Sequence, residues 1–524
     1  MATGAGLAAA ELAVGTVATA DSPVVAVGQK VIDLAPEGPR EWAIETFGTS
    51  DKTVLVVTTL VILFGVGMAI GATAIAGRLR LAGGATAAVG AVGVVAVLTG
   101  TEPSAGKVAP VVVGTLVSLA VLWRVTPPAA RRSRPTHGEA RHAMAGVGPT
   151  DDTSPIEPIA VPGVGAADRR AFLLRSTGVA AVAAISGGVG RLIQGRFRID
   201  DERAALRLPP VAAGSRPAAL PPNADLEVDG LSPFVVGNGE FYRIDTALRV
   251  PQVSRESWSL RIHGMVGREL ELTFDDLLAR EQISRYVTLS CVSNPVGGPY
   301  VGNALWQGVR LDAILAEAGV DPSATQLVSR SSDGWTCGTP VASVVDGRDS
   351  LLAFGMNGEP LPAEHGYPVR MVVPGEYGYV SATKWVVELE LTTWEAYDAY
   401  WVPRGWAQQA PMKAMTRIET PRHRAAVQAG GFVVAGTAWH VHRGISAVEV
   451  RADAGEWQRA TLGGVPSADT WRKWSLELDL EPGEHRLEAR STNGFGEVET
   501  AERADVVPDG ASGYHEVTVD VAAA

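Results

Sequence analysis

The sequence predicts a multidomain protein: N-terminal transmembrane helices, an α+β domain, and a C-terminal all-β sandwich. Three observations carry this. Long uncharged runs are confined to the first 200 residues. From about Leu226, strands and short helices alternate. From Pro411, short strands with apolar/polar alternation follow one another, separated by Gly/Pro/Asp-rich turns.

Composition narrows the function classes. The 524 residues carry a formal charge of −12, which argues against a nucleic-acid partner. Apolar residues make up 46%, high for a protein without membrane segments. Two cysteines exclude a disulfide scaffold, a four-cysteine zinc site and an iron–sulfur cluster held by cysteines alone. No Cys-x-x-Cys-His occurs, so no c-type haem is attached.

Residues 1–126 read as about four spans. Val54–Ala76, Ala82–Gly100 and Val108–Trp123 are each about long enough to cross a bilayer as a helix. Met1–Ala20, interrupted by Glu11, is a weaker first span, followed by a polar stretch, Asp21–Lys52. Arg78 and Arg80 follow one span, and Arg124, Arg131, Arg132 and Arg134 follow another; both groups are expected in the cytoplasm. Residues 127–168, rich in Pro and polar side chains, read as a cytoplasmic linker. Residues 169–195 open with Arg169 and Arg170, then Phe172 and Leu173, before a weakly apolar run. They resemble a twin-arginine export signal joined to a last span. The rest of the chain is then outside the cytoplasm. No histidine lies in an apolar segment, so no haem is expected in the helices.

Residues 196–225, Pro/Ala-rich, read as a tether. In the α+β domain, residues 226–410, Thr273 caps a helix whose start is favoured by Asp275 and Asp276, and Gly319 ends a second helix over "LDAILAEAGV". In the sandwich, residues 411–524, Trp439, Trp457, Trp471 and Trp474 are core and interface residues. His440 and His442 are placed on one strand, facing one way, but lack further metal ligands.

Cys291 lies in "YVTLSCVSNPVGG", where a strand gives way to a Pro/Gly loop. Residue chemistry leaves three readings at parity: a disulfide with Cys337, an inert or nucleophilic thiol with His365 as a base, or a ligand to a soft metal.

Resemblance separates them. "LSCVSNPVGGPYVGNALWQGVRLDAIL" resembles the cofactor loop of the sulfite oxidase family of molybdopterin oxidoreductases. "FYRIDTALRVPQV" followed by "WSLRIHGMV" resembles that family's domain start, and "EHGYPVRMVVPGEYGYVSATKWVVELEL" its second cofactor segment. "GTAWHVHRGISAVEVRADAGEWQRATL" resembles the immunoglobulin-like domain that follows, and the N-terminal part resembles membrane-anchored bacterial members. The resemblance implies molybdenum with a single molybdopterin, and Cys291 as its protein thiolate. It implies cofactor contacts by Phe241, Tyr242, Arg243, Asn294, Gly297, Gly298, Ser381, Thr383 and Lys384. His365 and Arg370 would hold the cofactor phosphate, a task suited to a planar guanidinium. Trp306 would border the substrate pocket.

It further implies a catalytic domain outside a bacterial cell membrane, a separate electron-transfer protein in place of a fused haem domain, and a homodimer through the C-terminal domain. Sulfite-oxidising members carry arginines just after Cys-x-x-Asn, whereas this chain has Pro295 and Val296. Each lost charge-assisted bond to an oxyanion is worth about 1.5–3 kcal/mol. A less charged substrate, such as a sulfoxide, is therefore expected. The alternatives are sulfite oxidation with arginines from elsewhere, Arg310 or Arg404, and a non-catalytic anchored binding protein.

Overall fold

The computed structural model describes residues 1–14, 22–35, 39, 42, 46–47, 51–99, 105–126 and 199–523. The chain divides into two units, Met1–Arg198 and Ile199–Ala524.

In the first unit, Asp51–Ile75, Leu79–Leu98 and Ala105–Val125 are helices. Among the described residues, these three are long and apolar enough to cross a membrane. The first faces outward with large apolar side chains; Phe64 is 67% exposed. Ala2–Val14, the described part of the weaker first span, whose residues 15–20 lie outside the described residues, is also helical. It packs on Ala105–Val125 through small residues: a Cβ on Gly114 would lie 2.7 Å from Gly6 O. The stretch read as polar contains a further helix, Pro23–Leu34, because Ser22 caps it and Pro23 fits its first turn. The linker 127–168 and the twin-arginine-like stretch 169–195 lie outside the described residues.

The second unit begins earlier than composition suggests. Residues 199–225, expected as a tether, pack on the domain. Glu202 accepts from Ser254 Oγ at 2.6 Å, Arg255 N at 2.8 Å and Tyr367 Oη at 2.7 Å. Leu206 and Ala224 are buried in its core.

Its α+β part has two sheets. One has strand order β2-β1-β10-β5-β6: β1 Ser259–Gly264, β2 Leu270–Thr273, β5 Gln326–Ser331, β6 Thr336–Pro340 and β10 Val386–Thr392. The other runs β3-β4-β7-β8, with β9 on β7: β3 Ile283–Ser290, β4 Val301–Arg310, β7 Leu351–Met356, β8 Glu359–Pro360 and β9 Arg370–Val372. Thr273 does cap Phe274–Leu278, in a capping box with Asp276. Gly319, at φ 70°, ends Leu311–Ala318. Gly308 sits at the register shift between β4 and β7, where a Cβ would meet Leu352 O at 2.0 Å.

From Met415 the chain is β-rich. One sheet is β11-β13-β17-β16 and the other β12-β19-β18-β14-β15. Their ranges are β11 Met415–Thr420, β12 Ala425–Gln428, β13 Phe432–Trp439, β14 Ile445–Ala452 and β15 Gln458–Arg459, then β16 Thr461–Leu462, β17 Arg472–Leu478, β18 Gly483–Asn493 and β19 His515–Ala522. Val434 and Trp474 from one sheet share a core with Val448, Leu487 and Val519 from the other. Trp439 and Trp471 belong instead to the core of the α+β part. Trp457 is partly exposed, between Arg451 and Arg490. β13 ends at Trp439, so His440 and His442 do not share a strand: His442, at φ 71°, lies in the turn beside Asp469.

Candidate active site

The loop between β3 and β4 carries Cys291. It is closed by its own hydrogen bonds: Cys291 N donates to Tyr300 O at 2.9 Å, and Asn294 N to Cys291 O at 3.1 Å. Tyr300 N donates to Asn294 Oδ1 at 2.8 Å, so the buried Asn294 side chain braces the loop. Cys291 Sγ lies 2.9 Å from Ser293 Oγ, and burial pushes the thiol above its ordinary range. Cys337 is fully buried and also a free thiol, so no disulfide joins the two.

Phe241 and Tyr242 stack with ring centroids 5.2 Å apart. Phe241 meets Trp306 edge-on at 5.7 Å and His365 at 5.6 Å. Gly302 on β4 makes room for it, since a Cβ there would lie 2.8 Å from the Phe241 ring. The Tyr242 hydroxyl is pushed up by burial and then by the nearby Cys291, while Arg370 pulls it down. Tyr377 is likewise raised, by burial first and Cys291 among the rest. A Cβ on Gly378 would lie 3.5 Å from Ser290 O and 3.7 Å from Tyr242 Oη, so the Tyr242 hydroxyl sits near the strand end that leads into Cys291.

Arg370 opens β9 and is 5% exposed. Its guanidinium lies 4.7 Å from the Trp306 ring. Nη1 donates to His365 O at 3.2 Å and Nη2 to Ala382 O at 3.3 Å, while buried Nε finds no partner. Among the described residues it has no carboxylate partner, and burial pulls its pKa down to about 10. His365 Nε2 lies 2.8 Å from Asn238 O, which fits a proton on Nε2 and leaves Nδ1 as an acceptor. Burial, reinforced by Arg370, holds this histidine at about 4. Lys384 Nζ donates to Asp245 Oδ2 at 2.7 Å and Glu364 O at 3.2 Å, and burial draws it down to about 8. Arg243 shares Asp245 at 2.8 Å and is the more exposed partner. Cationic groups thus gather beside the aromatic floor, one of them buried without an anion. That arrangement fits a phosphate-bearing ligand, and a thiol beside it fits a soft metal.

Not every expected residue takes the expected place. Ser381 and Thr383 are fully buried with their hydroxyls engaged inside the fold: Ser381 Oγ donates to Glu376 O at 3.0 Å, and Thr383 Oγ1 lies 2.6 Å from Ser329 Oγ. Gly297 closes on the β-rich part, whereas Gly298 closes on its own loop, where a Cβ would lie 2.5 Å from Asn294 Oδ1. A Cβ on Gly297 would fall 2.1 Å from the His515 ring, and Gly298 O accepts from Arg417. Trp306 is completely buried and forms the floor under Arg370. Arg310 is held by Asp312 and Asp349, and Arg404 stacks on Tyr400 at 3.7 Å. Asn238, Asp245 and Tyr377 join the site without having been singled out; Asp245, two residues from Arg243, was the visible one as a charged neighbour.

The neutral histidines have a measurable consequence. His365 and His515 are both held at about 4, below the ~6.5 of free imidazole. Across that window the unfolded chain carries protons that the folded chain does not. Their contribution to stability is complete above about pH 6.5 and declines as pH falls toward 4. Glu499, raised to about 7 by burial, works oppositely, losing stability as pH rises toward 7. In His365→Asn, the rise of folding stability between pH 4.5 and 6.5 is expected to flatten by about one proton, roughly 1.4 kcal/mol per pH unit. Unfolding midpoints measured across that range check it.

A model of the family described as "Oxidoreductase molybdopterin binding domain" matches residues 247–401. Human mitochondrial sulfite oxidase is 30% identical over 287 residues, covering 46% of this chain and 52% of that protein. The chain thus spans about half the length of the first curated relatives it matches. Chicken sulfite oxidase is 30% identical over 328 residues, 52% of this chain and 70% of the relative. The uncharacterized oxidoreductase YuiH of Bacillus subtilis is 34% identical over 149 residues, 28% of this chain and 72% of the relative. With the matched segment carrying Cys291, Arg370 and their surroundings, the chain belongs to the sulfite oxidase family of molybdopterin-binding oxidoreductases.

Proposed function

We propose that the chain is a membrane-anchored molybdenum-cofactor oxidoreductase that catalyses oxygen-atom transfer outside the cytoplasm of a bacterial cell, with a sulfoxide-type substrate. The observation that carries it is the match of residues 247–401 to the molybdopterin-binding family over a segment that holds both the free Cys291 thiol and Arg370, a buried guanidinium whose Nε has no partner. Molybdenum held by one pterin supplies a two-electron centre for transfer of an oxygen atom. Cys291 is its protein ligand, and the metal's charge would reverse the burial effect and hold the thiol deprotonated. Arg370, His365 and Lys384 hold the anionic end of the pterin. Trp306, braced edge-on by Phe241, supports the guanidinium, and Tyr242 stacks on Phe241.

The substrate assignment rests on Pro295 and Val296, which offer an oxyanion no charge, and on Arg310, which is already paired with two aspartates. The three long apolar helices support the anchor, with Arg78, Arg80 and Arg124 toward the cytoplasm. The β-rich part is read as an immunoglobulin-like dimerisation domain. Electrons arrive from a separate protein.

Full-length protein from a host that makes molybdopterin tests the reading. Sulfoxide, two electrons and two protons give thioether and water, so a sulfoxide should oxidise a reduced viologen. Sulfite and water give sulfate, two electrons and two protons. Sulfite-dependent reduction of ferricyanide in place of the first reaction would overturn the substrate assignment. Absence of molybdenum from folded protein would overturn the enzyme.

A further inference from the structure

The loop that carries Cys291 is gripped from outside its own domain. Its parent strand, β3, is tied to the β-rich part at Thr288: Thr288 N donates to Asp469 O at 2.9 Å, and Trp471 N donates to Thr288 Oγ1 at 2.8 Å. Its far end meets Arg417 and His515. Arg417 on β11, 8% exposed, donates from Nη1 to Gly298 O at 3.0 Å. Glu419 accepts from Arg417 Nε at 3.1 Å and is itself held by Ser232 N at 2.6 Å and Thr437 Oγ1 at 2.8 Å. His515 Nδ1 accepts from Ile418 N at 3.0 Å, which fixes the ring where Gly297 leaves no room for a side chain. Burying an ion pair is a poor route to stability alone, because desolvation offsets the attraction. Here the guanidinium also supplies a charge-assisted donor to one carbonyl of the thiol-bearing loop.

We propose that Arg417 and His515 are positioning residues for the Cys291 thiol: together they clamp the loop Cys291–Gly298, so that the β-rich part is a structural component of the metal centre. This rests on the reading of Cys291 as the metal ligand. The clamp itself can be tested without metal.

The experiment is the rate of Cys291 alkylation by a maleimide in the full chain, produced without molybdopterin; Cys337, fully buried, serves as the silent thiol. Arg417→Gln should raise that rate at least tenfold; because it also leaves the buried Glu419 without its cation and lowers the unfolding midpoint, the rate is read well below that midpoint. Arg417→Lys, which keeps a cationic donor, should return it toward the parent value. His515→Ala, which removes the ring from the far end of the loop, should also raise the rate, and so should Gly297→Ala, whose new methyl strikes that ring. A parent-like rate in folded Arg417→Gln would overturn the clamp. Should Arg417→Gln fail to fold, His515→Ala decides: a parent-like rate in that folded variant overturns the clamp. Molybdenum content of the same proteins from a cofactor-producing host separates the two readings. No metal in the parent overturns the proposed function alone, while metal in the parent that falls in Arg417→Gln supports both.

Discussion

Cys291→Ser is expected to abolish molybdenum binding and turnover while leaving the metal-free fold nearly as stable as the parent. The side chains differ little in size, and a serine hydroxyl can keep the contact that Cys291 Sγ makes with Ser293 Oγ. The loop itself is closed by backbone and Asn294 bonds that do not use the thiol. What changes is donor chemistry: a hard, protonated hydroxyl replaces a soft sulfur that a metal can deprotonate. Loss of an outer-shell partner typically lowers affinity or activity about 10–100-fold, so loss of the ligand itself should exceed ~100-fold in turnover. Molybdenum per chain, turnover and the unfolding midpoint are the measurements. The control is Cys337→Ser, whose thiol lies 3.7 Å from Thr339 Oγ1 in a fully buried position. It should move stability and leave metal content near the parent value. Retention of molybdenum by Cys291→Ser would remove this cysteine as the ligand.

The parts legible in the sequence are those where chemistry and chain continuity coincide. Cys291, Asn294 and Tyr300 lie within ten residues, and the strand that ends at Ser290 announces itself by alternation and β-branching. His365 and Arg370 share one turn, so their meeting is local. What could not be read depends on distant partners. Composition made residues 199–225 a tether, yet Glu202 is held by groups at 254, 255 and 367. Gly297 and Gly298 were visible as positions of close approach, but nothing in the motif tells that the group approaching Gly297 is His515, more than 200 residues later. Ser381 and Thr383 were expected at the cofactor only because the resemblance implies it; their partners, Glu376 O and Ser329, come from the fold around them.

Arg370→Met separates a binding role from a structural one by the sign of its effect. In the parent, the guanidinium is nearly inaccessible, has no carboxylate partner among the described residues, and is compensated by two carbonyls and the Trp306 face. Its pKa, drawn down to about 10, shows that burial disfavours the charge. Replacing it by an unbranched apolar side chain of similar length removes that desolvation and frees only two acceptor oxygens. The metal-free variant should therefore match or exceed the parent in stability, since exchanging poorly compensated buried charge for apolar packing is often neutral or favourable by about 1–4 kcal/mol. With cofactor the order reverses. Each charge-assisted bond to a phosphate contributes about 1.5–3 kcal/mol, so losing one weakens cofactor retention by ~10-fold to ~200-fold. Arg370→Lys should fall between, keeping a point charge without the fork that reaches Nε. Unfolding midpoints of metal-free and loaded proteins, with molybdenum retained after dilution, decide the matter. If Arg370→Met destabilises both forms equally, Arg370 is a structural residue and the anionic ligand is held elsewhere.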